Sequence, residues 1–439
     1  MGESLSHIDP LHGSVNFDPW ESELLNLPEL QRLRYIKQTG LAFLVYPGAR
    51  HTVFDHVLGT LCLAKKYLHC LGIDNQDEKI LRASILLRDV GNAPLRHVLW
   101  DVESYIPKEK RETYGSDRIV QESKRIKEIL EKNGLEVEHV CKMVKLKDEN
   151  GDKWLHKLRP LVHGPLSFNR LDYYLRDAYY AGIKSVGFDP SNILKNIVFH
   201  EGKGLAYKEE AVPSIENVLL SRVNLYLQLY SNPEVVKVQK MLARAIQISI
   251  GENYDEFYKL TYDAIKGFLS DEEFMRQLKE RASDNKTAMH IIQSIENGQL
   301  YKTLDKIYRW PELPNETRKK LNEYYQNPLM WKDAEREVAS RLGVEYGQII
   351  VDIDKPTVKD MIEKIFIKKN DAIERIDMVS PLIGSLEEED GKKCGIMEME
   401  KRNWFFGVYY DETVKNFRNK ENQIRNVIEN VYNISLPKR

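Results

Sequence analysis

The sequence predicts a mainly α protein, a long helical core carrying one short β-hairpin, followed by a smaller C-terminal α+β domain. Three observations predict it. From Trp20 to about Leu342 apolar residues recur near the i, i+3, i+4 spacing of amphipathic helices. Inside that run, "NIVFHEGKGLAYKEE" (196–210) reads as two short strands about a Gly-Lys-Gly turn. Past Gly343 the texture changes to β-branched and aromatic runs of strand length, which sets the expected domains at 1–345 and 346–439.

The elements follow in order. "FDHVLGTLCLAKKYLHCLG" (54–72) places Val57, Leu58, Leu61, Cys62, Tyr67 and Leu68 on one helical face. "DEKILRASILLRDVG" (77–91) does the same, with acids in its first turn and Gly91 past its end. Pro213 opens a helix through "SIENVLLSRVNLYLQLY" that stops before Asn232-Pro233. Beyond the boundary, "YGQIIVDID", "IEKIFIKK" and "WFFGVYYD" read as strands, "SLEEEDGKKCG" (385–395) as an exposed loop, and "DETVKNFRNKENQIRNVIENVY" (411–432) as one long amphipathic helix.

Composition narrows the function. Charged residues make up 30% of the 439 and the formal net charge is −2, so bulk attraction to nucleic acid or to an anionic membrane is not indicated and any basic site is local. Cys62, Cys70, Cys141 and Cys394 show no metal-ligand spacing, and Cys62 and Cys70 read as buried thiols. "MGESLS" fits the myristoylation pattern so loosely that it is read as chance. With no signal-like or membrane-length apolar run, a cytoplasmic protein without membrane contact is expected.

Chemistry-bearing residues cluster in five stretches: "ELQRLRYIKQTG" (29–40), "RHTVFDHVLG" (50–59), "LLRDVGNAPLRH" (86–97), "FNRLDYYLRDAYYAGI" (168–183) and "LSRVNLYLQLYSNP" (220–233). Singly each has an ordinary reading: His56 as a packed residue at a helix start, Arg170, Asp172, Arg176 and Asp177 as helix-surface ion pairs, Arg222 as a surface cation. The adjacent Arg88-Asp89 at an apolar helix end is harder to place, because an unpaired buried charge costs several kcal/mol.

In this order, and with "DPLHGSVNFDP" (9–19), the block "LPELQRLRYIKQTGLAFLVYPGARHTVFDHVLG" (27–59), "RLDYYLRDAYYAGI" and the C-terminal "VSPLIGSL" and "NWFFGVYYD", the sequence resembles the HD-domain phosphohydrolases, in the branch of the deoxynucleoside triphosphate triphosphohydrolases. The resemblance spans nearly the whole chain and implies an HD-type helical core. It also implies a divalent-metal site made of a His, a His-Asp pair and a distant Asp, a set suited to activating water and neutralising phosphate charge. The matching positions here are His56, Arg88 with Asp89, and Asn169. His56 and Asp89 are therefore remnant metal positions. Arg88 cannot ligate a metal and Asn169 brings no charge, so Arg88 is expected to occupy the metal's space and pair with Asp89, leaving donors for a phosphate.

The same resemblance leaves the proton-transfer positions thin. Asn92 stands for a His, Trp100 for an acid, and no His occurs in "RETYGSD" (111–117); His97 and Asp101 are the residual candidates. Ligand-holding positions are retained. The resemblance assigns Arg170 and Arg222 to phosphate, Tyr173 to the sugar face, Asp177 to the 3′-hydroxyl and Gln38 to the sugar, while Val53 stands for an expected Arg whose lost charge Arg88 could replace. At the family's effector position Gln31 and Arg34 match, whereas Ile8 and Asn26 depart, and no second site is assigned.

Three functions follow as alternatives. The favoured one is a (deoxy)nucleotide- or phosphate-binding protein that has lost metal-dependent hydrolysis and acts as a sensor, regulator or structural subunit. The second is an active phosphohydrolase with a rebuilt site, in which His56, Asp89, Asp172 and His97 are candidate metal or acid/base groups and the metal is Mg, Mn or Fe. The third is an interaction or nucleic-acid-binding module on the same scaffold. The first expects no cofactor, and the family habit implies a homo-oligomer, dimer or tetramer.

Overall fold

The computed structural model describes residues 6–104, 106, 111, 115–145, 152–251, 253–354, 359–370, 372–384, 386–387, 393–417 and 420–437. Residues 1–5 of the myristoylation-like start, and 385 and 388–392 of the expected exposed loop, lie outside these residues. The fold is mainly α-helical with small sheets, as the sequence predicts. No described helix is long and apolar enough to cross a membrane.

The chain opens with a hairpin, β1 (Ser6–Asp9) and β2 (Gly13–Asn16), whose turn is held by Asp9 Oδ1 accepting from the amides of Leu11 and His12 at 2.9 Å each. Helix α1 (Val53–Tyr67) starts at a reciprocal cap: Thr52 Oγ1 accepts from Asp55 N, and Asp55 accepts from Thr52 N. It is buried almost all round and so forms the centre of the core. Helix α2 (Asn75–Leu87) is capped by Asp74 and ends at Leu87, leaving Arg88-Asp89 on the turn that follows.

Helix α3 (Arg96–Ser104) follows a turn in which Leu95 has φ 54°, a left-handed conformation held by its amide donating to Asp271 Oδ1 at 2.9 Å. Helix α4 (Phe168–Ala181) is capped by Ser167 and stopped by Gly182 at φ 72°. Helix α5 (Val212–Leu225) runs directly into a π turn (Tyr226–Tyr230), and α6 (Pro233–Ile250) follows after Asn232 caps it.

The predicted hairpin is β3 (Ile197–His200) with β4 (Gly204–Lys208). It does not stand alone. β8 (Phe366–Lys369) pairs in parallel with β4, and β9 (Ala372–Arg375) pairs with β8, giving one four-stranded sheet. A second sheet is built on β12 (Phe405–Tyr410), flanked on one side by β5 (Lys302–Thr303) and β6 (Tyr308–Arg309) and on the other by β7 (Ile349–Asp354), in register from Phe405↔Asp354 to Tyr410↔Ile349. Helices α7 (Pro328–Leu342) and α8 (Glu421–Tyr432) bury apolar faces in the core of this sheet.

Two apolar cores interleave along the chain on either side of residue 345. The second apolar core begins at Leu304 and takes in α7, while Met361, Ile367, Ile376 and Ile396 return to the first core. Other departures have local causes. The C-terminal helix covers 421–432 only, because Asp411 Oδ1 accepts from the Thr413 amide and hydroxyl and ties the expected first turn into an Asx turn. The ends of the 385–395 stretch pair as β10 (Leu386–Glu387) and β11 (Lys393–Cys394). Cys62 is buried as expected, but Cys70 is exposed, since α1 gives way to a 3₁₀ turn at Leu68 that rotates it off the core face.

Candidate functional site

Helix α4 presents two faces with different jobs. Asp172 and Arg176, one turn apart, face α1; Asn169, Tyr173 and Asp177 lie on a second stripe. On the first face Asp172 is fully committed. Its Oδ1 accepts from His12 Nε2 (2.7 Å) and Arg176 Nη2 (2.8 Å), and its Oδ2 from His56 Nδ1 (2.6 Å) and Arg176 Nε (2.9 Å). Burial opposes this charge, but Arg176 and the two imidazoles hold the carboxyl well below the usual range. Arg176 also donates to Asp9 Oδ2 at 2.7 Å, locking the N-terminal hairpin onto the helix.

This network sets the tautomer of His56. Nδ1 faces a carboxylate and carries the proton, so Nε2 offers a lone pair, and Asn169 Nδ2 donates to it at 2.7 Å. The lone pair that a metal would take is therefore occupied. Asp89 Oδ2 lies 3.9 Å from the same nitrogen.

Asp89 is in turn held by cations. Arg88 Nη1 donates to Oδ1 and Oδ2 at 3.1 and 3.3 Å, Asn92 Nδ2 donates to Oδ1 at 2.8 Å, and Arg96 Nη1 is 3.9 Å away. Burial would raise the Asp89 carboxyl, but Arg88 and Arg96 hold it well below its ordinary value. Among the described residues no three His, Cys, Asp or Glu side chains converge as a cation site. The donor set does not suit a divalent ion: one imidazole nitrogen is hydrogen-bonded, one carboxylate is paired with a guanidinium, and a second guanidinium stands beside it.

Next to this cluster lies a cavity of about 380 Å³. Gln38, His56, Arg88, His97, Asn169, Arg170, Tyr173 and Asp177 all line it, so the structure brings together most residues singled out from the sequence. Arg170 meets Met361 Sδ at 3.0 Å, and no described carboxylate is within ion-pair reach of it. Gln38 is 6% exposed and its Oε1 has no hydrogen-bond partner. The Nε atoms of Arg88 and Arg96 are likewise buried without a partner.

Three of the sequence-derived candidates are engaged otherwise. Arg222 donates to Glu400 at 2.7 Å, stacks over Tyr226 at 4.2 Å, and does not line the cavity. Asp101 turns away from it to Lys240, 2.9 Å distant on α6. His97 does line it, but its Nε2 donates to the Gln38 carbonyl at 3.0 Å, and burial together with Arg96 brings its pKa down to about 4, so it is neutral at pH 7. Asp177 keeps its place at the wall with both oxygens partly used, Oδ1 by His51 Nε2 at 2.7 Å and Oδ2 by the Tyr230 hydroxyl.

Sequence reasoning passed over several of these groups. Arg96 precedes His97 in the sequence, and its cation, stacked at 4.8 Å on Trp100, becomes visible only when α3 is folded against Asp89. His12 and His51 carry no local signal of their roles, because their partners lie 160 and 126 residues away. Tyr226 and Tyr230 reach the cavity because the π turn shifts them round the helix.

Comparisons with known proteins agree with this architecture. The chain is 29% identical over 431 residues to an uncharacterized protein of Methanocaldococcus jannaschii, covering 96% of this chain and 82% of that one. It is 26% identical over 342 residues to the deoxynucleoside triphosphate triphosphohydrolase of Bos taurus, covering 67% of this chain and 57% of the relative's length. Two crystal structures share the fold at 22% identity each. One is a hypothetical protein from Aquifex aeolicus with TM-score 0.70, covering 97% of this chain and all of that one. The other is a phosphohydrolase from Bacteroides thetaiotaomicron with TM-score 0.67, covering 93% of this chain and all of that one. The family model described as the HD associated region matches residues 188–435, more than half of the chain, which therefore belongs to that family and with it to the HD-domain phosphohydrolase superfamily.

Proposed function

We propose that this cavity binds a (deoxy)nucleotide or a related phosphate ester and that the protein does not carry out metal-dependent hydrolysis, acting instead as a sensor or regulatory subunit. The observation that carries the reading is the gathering of Arg88, Arg96 and Arg170 on one cavity, with Asp89 the single carboxylate paired to them among the described residues. Buried guanidinia with unused donors favour an anion, and phosphate oxygens match their fork geometry. Tyr173 offers an apolar ring face beside them, and the unpartnered Gln38 Oε1 is an acceptor for a sugar hydroxyl or a base amine. Arg222 joins this set only by giving up Glu400, so its part in holding phosphate requires a rearrangement of α5.

The test is calorimetric titration with the four deoxynucleoside triphosphates, alongside metal analysis and an assay for released tripolyphosphate with manganese or magnesium. Salt-sensitive binding without turnover is the expected result. Stoichiometric metal with turnover would instead establish the rebuilt phosphohydrolase, and Arg88 would then have to point away from the ion.

A further inference from the structure

We propose that the cavity takes its phosphate ligand free of divalent metal, Arg88 and Arg96 supplying the charge that a bound cation brings elsewhere; this rests on the nucleotide reading above. The inference comes from what occupies each position around Asp89. Its Oδ1 already accepts from Arg88 and Asn92, and its Oδ2 from Arg88, so neither oxygen is turned bare toward the cavity. The Nε2 lone pair of His56 is taken by Asn169. At the two positions that match the metal ligands, Asp89 and His56, the atoms that would greet an incoming cation are therefore hydrogen-bonded to donors.

The cations add to this. Arg88 and Arg96 line both this cavity and a neighbouring one of about 220 Å³, and Trp100 completes the wall between them. Their guanidinia converge on one carboxylate, so the wall keeps net positive charge after that pairing. Arg170 lies across the same cavity, in contact with the Met361 thioether and with no carboxylate among the described residues in ion-pair reach. Magnesium bound to a polyphosphate consumes the oxygens that these guanidinia would contact, and it places two positive charges beside them. The protein and the metal then compete for one ligand. This differs from the usual polyphosphate site, in which the ion bridges ligand and protein.

Arg96 is the residue whose role this defines. It makes a loose contact to Asp89 at 3.9 Å and stacks on the half-exposed Trp100, and its Nε is buried without a partner. A phosphate oxygen arriving at the wall can take that geometry without displacing a hydrogen bond.

The experiment compares binding of inorganic tripolyphosphate and of the deoxynucleoside triphosphates in chelator with binding in excess magnesium, sodium chloride holding the ionic strength equal. The expected result is affinity weakened at least about tenfold by magnesium, with Arg96→Gln weakening the chelator titration and shrinking the magnesium effect. Thermal unfolding of the variant shows whether it remains folded, and the wild-type comparison stands without it. Binding that is equal or tighter in magnesium overturns the metal-free site while leaving nucleotide binding intact. No binding in either condition overturns the nucleotide reading and this inference with it.

Discussion

Arg88 and Asn169 act at the same imidazole from two directions. Asn169 donates to His56 Nε2, and Arg88 neutralises the carboxylate that stands 3.9 Å from it. Restoring one position alone leaves the other obstruction in place. Arg88→His would still find the lone pair of His56 bonded to an amide, and Asn169→Asp would set a second acid beside a guanidinium. The double variant should bind Mn²⁺ more tightly than either single variant by well over tenfold, a gain far from additive because the two side chains share one site. Equal affinities across the three folded variants, measured by equilibrium dialysis, would separate these residues from any metal position.

At the scale of elements, the seam between α1 and α4 shows what a sequence can and cannot reveal. The helices themselves were legible from spacing and caps, and so was the gathering of Gln38, His56, Arg88, Arg170 and Tyr173, because a family resemblance ties distant stretches together. What was not legible is which charges spend themselves on each other. Arg222 meets Glu400, 178 residues on, and Asp101 meets Lys240, 139 residues on; no local pattern encodes either pair. Nor does spacing reveal that Asp177 is shared between His51 and Tyr230, one of them delivered by a π turn. The seam also carries a strict test. A Cβ on Gly59 would lie 1.7 Å from Arg176 Nη2 and 2.3 Å from Asp172 Oδ1. Gly59→Ala must therefore displace the guanidinium that holds Asp172 and Asp9 together. A loss of about 3 kcal/mol in urea unfolding is expected, the range for overpacking combined with a damaged buried ion pair. A loss below about 0.5 kcal/mol, the level of a surface change, would mean the seam is looser than this geometry.

Across the whole molecule, the cavity and the C-terminal sheet meet at β7. Ser231, which follows the cavity-lining π turn, donates to Asp354 Oδ2 at 3.1 Å. On the next inward position of the same strand Asp352 is fully buried, with Lys240 of α6 3.3 Å away, and Lys240 also holds Asp101 of the cavity-lining α3. Burial outweighs the lysine, with Asp354 and Asp101 adding to it, and pushes the Asp352 carboxyl up to about 7. The sign of its linkage to folding follows. With a folded value near 7 against about 4 when unfolded, the native state binds the extra proton between those limits, so this group makes stability fall as pH rises through that window. The cost is absent below about pH 4 and complete above about pH 7. Asp352→Asn keeps the shape and removes the titration. It should raise stability most above pH 7, by a few kcal/mol at most at ~1.4 kcal/mol per pH unit crossed, and the gain should shrink steadily toward pH 4. Urea unfolding of both proteins at pH 4.5, 6 and 8 measures it. A gain independent of pH would show that Lys240 keeps Asp352 ionised throughout, and the joint between sheet and cavity would then be a permanent ion pair and not a protonated one.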